Sequence, residues 1–103
     1  NKVMPHYKVI WDGFVEPPFT DRYQFHALLG ANEQVAVWLD GSLVYASGLP
    51  KRVDERSNLT AGHPHRLRIE YVNPDGRAEL KLLWSSRTLD PTRVDKARLF
   101  PLN

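Results

Sequence analysis

VAVWLDGSLVYA, residues 35–46, is the stretch on which the fold turns. Two apolar runs flank Asp40-Gly41. That pair suits a two-residue type I′ turn, in which both central residues need φ above zero. Such a turn pairs Leu39 with Ser42, Trp38 with Leu43, Val37 with Val44 and Ala36 with Tyr45. Val35, Val37, Val44 and Ala46 then share one face, and Trp38, Leu43 and Tyr45 share the other. Both faces are apolar, so something must cover or use the second.

The rest of the chain fits a β reading. Its 103 residues make one domain, 1–103, large enough to bury a core. Eight prolines, six glycines and short alternating runs between turn residues argue for an all-β protein. A first strand is expected over His6 to Val15, ending where Pro17 and Pro18 cannot donate to a ladder. In the next, Tyr23, Phe25, Ala27 and Leu29 lie on one face and Gln24 and His26 on the other. Gly30 to Glu33 reads as a loop, and Ser47 to Asn58 as a long polar one. HRLRIEYV, His65 to Val72, and RAELKLLWSS, Arg77 to Ser86, read as a hairpin closed by Asn73 to Gly76. Its register would pair Val72 with Arg77, Tyr71 with Ala78, Ile69 with Leu80 and Leu67 with Leu82, keeping one face apolar throughout. KARLF, Lys96 to Phe100, supplies a last short strand after the linker TLDPT. The fold class expected is an antiparallel β-sandwich or barrel.

Several function classes recede on composition. The net charge of +2 arises from interleaved acids and bases, as in KRVDER, Lys51 to Arg56. No basic stripe of the nucleic-acid-binding kind stands out, so nucleic acid is not an expected partner. The lack of cysteine removes disulfides and thiol catalysis. No apolar run approaches the roughly 20 residues that span a bilayer, so membrane insertion is not expected. The chain begins at Asn1 with neither initiator Met nor signal peptide, and reads as a piece of a larger multidomain protein.

The residues that suggest chemistry have plainer readings. Glu70 and Glu79 would oppose each other in the second hairpin, but Arg68 and Lys81 at the diagonals make this a charge lattice on a solvated face. A glycosidase pair would instead flank a cleft. His63-Pro64-His65 lacks the further ligands zinc needs and reads as a turn. Trp84 shares a strand face with Leu80 and Leu82 and reads as core, whereas Trp38 sits on the ambiguous face. Asn58-Leu59-Thr60 fits a glycosylation sequon that arises often by chance. Asp40 is explained by its turn. No nucleophile, base and oxyanion set emerges, so an enzyme is not expected.

Six ordered elements resemble the PA14 domain. They are Val9-Ile10-Trp11-Asp12-Gly13-Phe14-Val15, Tyr23-Gln24-Phe25, Trp38-Leu39-Asp40-Gly41, Leu59-Thr60-Ala61-Gly62, Leu67-Arg68-Ile69-Glu70-Tyr71 and Leu82-Leu83-Trp84-Ser85-Ser86. The resemblance spans roughly residues 6 to 100, and relative to the family pattern the chain is short at its N-terminus. It implies a β-sandwich of PA14 type, an accessory module of glycosidases, adhesins, flocculins and bacterial toxins that in several cases recognises carbohydrate. The expectation is therefore a non-catalytic carbohydrate-recognition module of a secreted or cell-surface protein. The alternative is a structural or protein-interaction domain that shapes or tethers a neighbouring catalytic domain.

In the family's lectin branch, two adjacent aspartates hold Ca²⁺ and, through it, the sugar. The matching loop here, Gly30-Ala31-Asn32-Glu33, has one carboxylate, while Asn73 stands where the lectins carry their partner asparagine. The resemblance places a glycan rim at Asn32, Glu33, Asn73 and Asp75, with Trp38 as a further carbohydrate contact. Arg77 beside the second loop would repel a cation. No cofactor is expected, and glycan binding would be calcium-independent. The expected partners are a glycan or a neighbouring domain, with self-association through the face of Trp38, Leu43 and Tyr45.

Overall fold

A computed structural model describes residues 7–30, 32–48, 53–73, 80–94 and 98–101. Among the described residues ten strands follow in order: β1 Tyr7–Glu16, β2 Asp21–Leu28, β3 Gln34–Leu39, β4 Ser42–Ala46, β5 Val53–Asp54, β6 Arg56–Leu59, β7 His65–Asn73, β8 Lys81–Ser85, β9 Thr92–Arg93 and β10 Arg98–Pro101. All described pairings are antiparallel. They form two sheets, ordered β10-β1-β7-β3-β4-β5 and β6-β2-β8-β9. The protein is an all-β sandwich, as its alternating pattern requires.

The core lies between the sheets. Val15, Val35, Val37, Leu39 and Leu67 enter it from the six-stranded sheet, and Tyr23, Phe25, Leu59 and Trp84 from the four-stranded one. Trp84 is 1 % exposed. Its ring centroid lies 4.6 Å from that of Tyr23 and 6.0 Å from that of Phe25, both tilted, the geometry aromatic quadrupoles favour. Burial pushes the Tyr23 phenol above its ordinary value, and its hydroxyl donates to the Phe19 carbonyl at 2.8 Å. One core residue thereby anchors the proline turn between β1 and β2.

The Asp40-Gly41 turn is as expected, with φ of +50° and +87°. The strands beyond it differ from the ideal ladder. Leu39 pairs with Ser42 and Trp38 with Leu43, but Val37 then pairs with Tyr45 and Ala36 with Ala46. Val44 is the extra residue of a β-bulge, so Val44 and Tyr45 together oppose Val37, and both are buried. The bulge turns Tyr45 into the core. The expected second face of Trp38, Leu43 and Tyr45 is thus reduced to Trp38 and Leu43, which are half-buried.

The expected hairpin of β7 and β8 does not form. β7 lies between β1 and β3, with Leu67 paired to Gly13 and Leu39, and Ile69 paired to Trp11 and Val37. Both its edges are occupied. β8 belongs to the other sheet, where Leu82 pairs with Ala27 and Trp84 with Phe25. Alternation specifies which residues face the core, not which strand lies alongside. The apolar stripes of β7 and β8 meet across the sandwich instead of side by side. The pairs Val72–Arg77 and Tyr71–Ala78, and the position of Glu79, involve residues outside those described.

The polar stretch read as a loop from Ser47 to Asn58 contains β5 and β6. β6 pairs with β2, Asp21 opposite Leu59 and Tyr23 opposite Ser57. Arg-Ser-Asn-Leu places one large apolar side chain in the core, too little for its alternation to register. β9 is likewise hidden in the Pro-containing linker.

Gly13 explains the Trp-x-Gly pattern of β1. It is buried between β7 and β10, and a methyl group there would come within 2.5 Å of the Trp11 ring and collide with the Phe100 carbonyl. Gly13→Ala is expected to destabilise by about 1–3 kcal/mol through overpacking. Trp84→Ala should cost about 3–5 kcal/mol, while Trp38→Ala should cost under about half as much. Urea denaturation of the three variants checks the ranking.

Candidate functional site

Two groups of candidate residues separate in space. Gln34 pairs with Val72 at one end of the central strands, so Glu33 and Asn73 flank that end, with Asn32 beside them. Asp75 lies outside the described residues. Asn32 is exposed with φ of +64°, whereas Glu33 and Asn73 are 7 % and 3 % exposed. The Glu33 carboxylate accepts the Gly30 amide at 2.7 Å, and the Glu33 amide donates to the Gly30 carbonyl at 3.3 Å. This carboxylate is engaged in shaping its own loop.

Calcium requires six to eight oxygens directed at one point. A buried glutamate turned back onto its own loop does not fit that requirement. Among the described residues, no group of three or more His, Asp or Glu side chains is placed to hold a metal.

Trp38 lies elsewhere. It is five residues along β3 from Glu33, about 16 Å at the strand rise, and lines an open groove with Asp12, Asp40, Gly41, Arg66, Arg68 and Glu70. The groove runs over the outer face of the six-stranded sheet. Asp12, Arg68 and Trp38 are direct cross-strand neighbours on β1, β7 and β3. Consecutive even positions of β7 supply Arg66, Arg68 and Glu70 because alternate residues share a face.

The floor of the groove is a chain of alternating charge. Arg66 donates to Asp12 at 3.5 Å, and Arg68 donates to Asp12 at 3.2 Å and to Glu70 at 3.2 Å. Lys8 meets the other Glu70 oxygen at 3.2 Å. The charge lattice expected around Glu70 is present, but its partners are Lys8 and Arg68 of the same sheet. Lys81, expected at a diagonal, lies on β8 in the other sheet, and Glu79, expected opposite Glu70, lies outside the described residues. Each exposed pair contributes little to stability. Together they hold planar donors and acceptors in fixed orientation, which lowers the ordering cost of binding a polar ligand.

One wall is set by Asp40. Its Oδ1 accepts the Arg66 amide at 2.9 Å, its Oδ2 accepts from His65 Nδ1 at 2.8 Å, and its own amide donates to the Arg66 carbonyl at 2.8 Å. His65 Nε2 accepts the Thr60 amide at 3.0 Å, so the ring proton sits on Nδ1. Both nitrogens of this buried ring are engaged, and neither is available to a metal. His65 instead ties the β3–β4 turn to the Thr60-Ala61-Gly62 turn. The His63 amide donates to the Thr60 carbonyl at 3.1 Å, and the His63 ring meets the His65 ring edge-on at 4.9 Å. The turn itself lies at Ala61-Gly62, closed by the His63 amide, and His65 is already the first residue of β7.

With a two-sheet β-sandwich, an aspartate-glycine hairpin and the Trp-x-Gly strand in place, the chain belongs to the PA14 domain family, whose model matches residues 1–97. It is 30 % identical over 98 residues to the anti-sigma-I factor RsgI3 of Acetivibrio thermocellus, covering 92 % of this chain and 15 % of that protein. It is also similar to a solved structure of an anti-sigma factor domain-containing protein from Clostridium clariflavum. There the identity is 25 % and the TM-score 0.72, over 89 % of this chain and 32 % of the other. The chain therefore spans less than a third of the length of either of these proteins.

Sequence reasoning named Trp38, Asp40, Arg68 and Glu70 separately but did not bring them together. Asp12 is only the variable position of the Trp-x-Gly motif and Arg66 one residue of a strand, and only the β1–β7 pairing brings them together. Lys8 and Arg68 hold the Glu70 carboxyl below its ordinary value of 4.5. Because the folded-state value is the lower one, the stabilisation is complete above about pH 4.5 and is lost as the pH falls through the folded-state value. Glu70→Gln should flatten the acid limb of the stability curve below that pH and leave neutral stability within about 1 kcal/mol. Thermal melts from pH 3 to 7, roughly the carboxylate range, check this.

Proposed function

We propose that the protein is a non-catalytic carbohydrate-recognition module of a secreted or cell-surface protein, binding without calcium through the Trp38 groove. The observation that carries this reading is the placement of the three tryptophans. Trp84 is core, and Trp11 packs against the core beside Gly13, so their positions are explained by packing. Trp38 alone of the three lines a polar groove on an outer sheet face. An aromatic face flanked by oriented carboxylates and guanidiniums suits a sugar, whose C–H surface stacks on the ring while its hydroxyls bond to charged groups at the ring edge. Of the ligand-facing carboxylates, Asp12 and Glu70 are paired with arginines and Asp40 with His65, so they serve as acceptors and not as a catalytic acid and base.

Relatives of this chain are anti-sigma factors of which a domain of this size forms only a minor part. That supports a ligand-binding appendage to a regulatory protein, in which an extracellular glycan is the signal. A shallow sheet-face site predicts modest affinity. A glycan array followed by calorimetry tests the reading. Binding should persist in EDTA and weaken roughly tenfold in Trp38→Ala. Silence on every plant, bacterial and animal glycan would favour the structural or protein-interaction alternative.

A further inference from the structure

The outer face of the four-stranded sheet carries a second groove, distant from Trp38. Arg22 and Gln24 of β2, Arg56 of β6, and Ser85, Ser86 and Arg87 at the end of β8 line it. Gln24 is the register partner of Arg56 on one side and of Ser85 on the other, so three strands contribute one row. Arg22 stands two residues along β2, diagonal to Arg56. The groove continues past the same three arginines toward Thr20 and Asn58.

None of these guanidiniums makes an ion pair among the described residues. Asp21 lines the extension of the groove and Asp54 adjoins Gln24, and each carboxylate is engaged by other groups. Asp21 accepts the Arg22 amide at 2.7 Å and the Thr88 hydroxyl at 2.8 Å, and Asp54 accepts from the Gln24 side chain at 3.0 Å. Like charges at diagonal cross-strand positions are unfavourable. Arg66 and Arg68 on the opposite sheet are neutralised by Asp12 and Glu70, so the same fold balances one face and leaves the other cationic. Guanidinium forks match carboxylate and sulfate groups bidentately, and the amide and hydroxyls between them suit sugar hydroxyls. Among the described residues no aromatic side chain lines this groove, which removes the stacking platforms that single-stranded nucleic acid uses.

We propose that this groove is a separate site for an acidic oligosaccharide, its carboxylate or sulfate groups held by Arg22, Arg56 and Arg87 and its hydroxyls by Gln24, Ser85 and Ser86. The proposal rests on the reading of the domain as a glycan-binding module and specifies the class of glycan. Calorimetry of the 103-residue chain with alginate oligomers, dextran sulfate oligomers, neutral dextran and an oligothymidylate tests it. Binding to alginate, to dextran sulfate or to both supports it, the first identifying carboxylate and the second sulfate as the group read. Affinity should fall about tenfold or more in the combined variant Arg22→Gln, Arg56→Gln, Arg87→Gln. It should also fall steeply as salt rises above about 0.1 M. Undiminished binding by the arginine variant, wild-type binding insensitive to salt, or equal affinity for oligothymidylate would overturn it. Binding of neutral glycan at Trp38 with no binding of either acidic glycan overturns this site alone. Silence of these probes overturns this site, and silence of the glycan array as well overturns the functional reading with it.

Discussion

The position of β7 between β1 and β3 is the constraint on which the rest of the structure depends. With both edges paired, β7 has only its two faces left to use. One face sends Leu67, Ile69 and Tyr71 inward, and the other sends Arg66, Arg68 and Glu70 outward. The inward stripe fixes which side of the sheet meets the aromatic cluster of Tyr23, Phe25 and Trp84. The outward stripe meets Asp12 on one neighbour and Trp38 on the other. Core and groove are thus two faces of the same strand, and a one-residue slip would exchange them.

The hairpin at Asp40-Gly41 shows how little separates structure from function in so small a domain. Asp40 has the backbone conformation of a turn residue, and its carboxylate also captures His65 and the Arg66 amide. His65 carries the connection on to the Thr60 turn. The same aspartate then forms a wall of the Trp38 groove. A position explained by turn geometry alone is therefore also a polar contact linking three segments.

The two sheets present different electrostatic faces. Across the six-stranded sheet, acids and bases alternate between β1 and β7, and the ladder neutralises itself. Across the four-stranded sheet, Arg22, Arg56 and Arg87 converge without such partners among the described residues. A net charge of +2 conceals this, because charges interleaved along the chain are sorted by strand pairing into one balanced face and one cationic face. The absence of a basic run in the sequence was a statement about linear order only.

The sequence by itself determined the all-β class, the family, the type I′ turn and most of the core: Tyr23, Phe25, Val35, Val37, Leu67 and Trp84 follow from period-two alternation, which is a local property of the chain. Tertiary structure alone decided the partners. It placed β7 and β8 in different sheets, drew β6 out of a polar stretch, and used a bulge to turn Tyr45 inward. It also separated Trp38 from Glu33 and Asn73 while bringing Asp12 and Arg66 together. The physical reason is that alternation records only whether a side chain faces oil or water, and strands with the same inward stripe are interchangeable by that measure. Which of them lie side by side is settled by the packing of the whole sandwich, and grooves made by side chains from adjacent strands become visible only then.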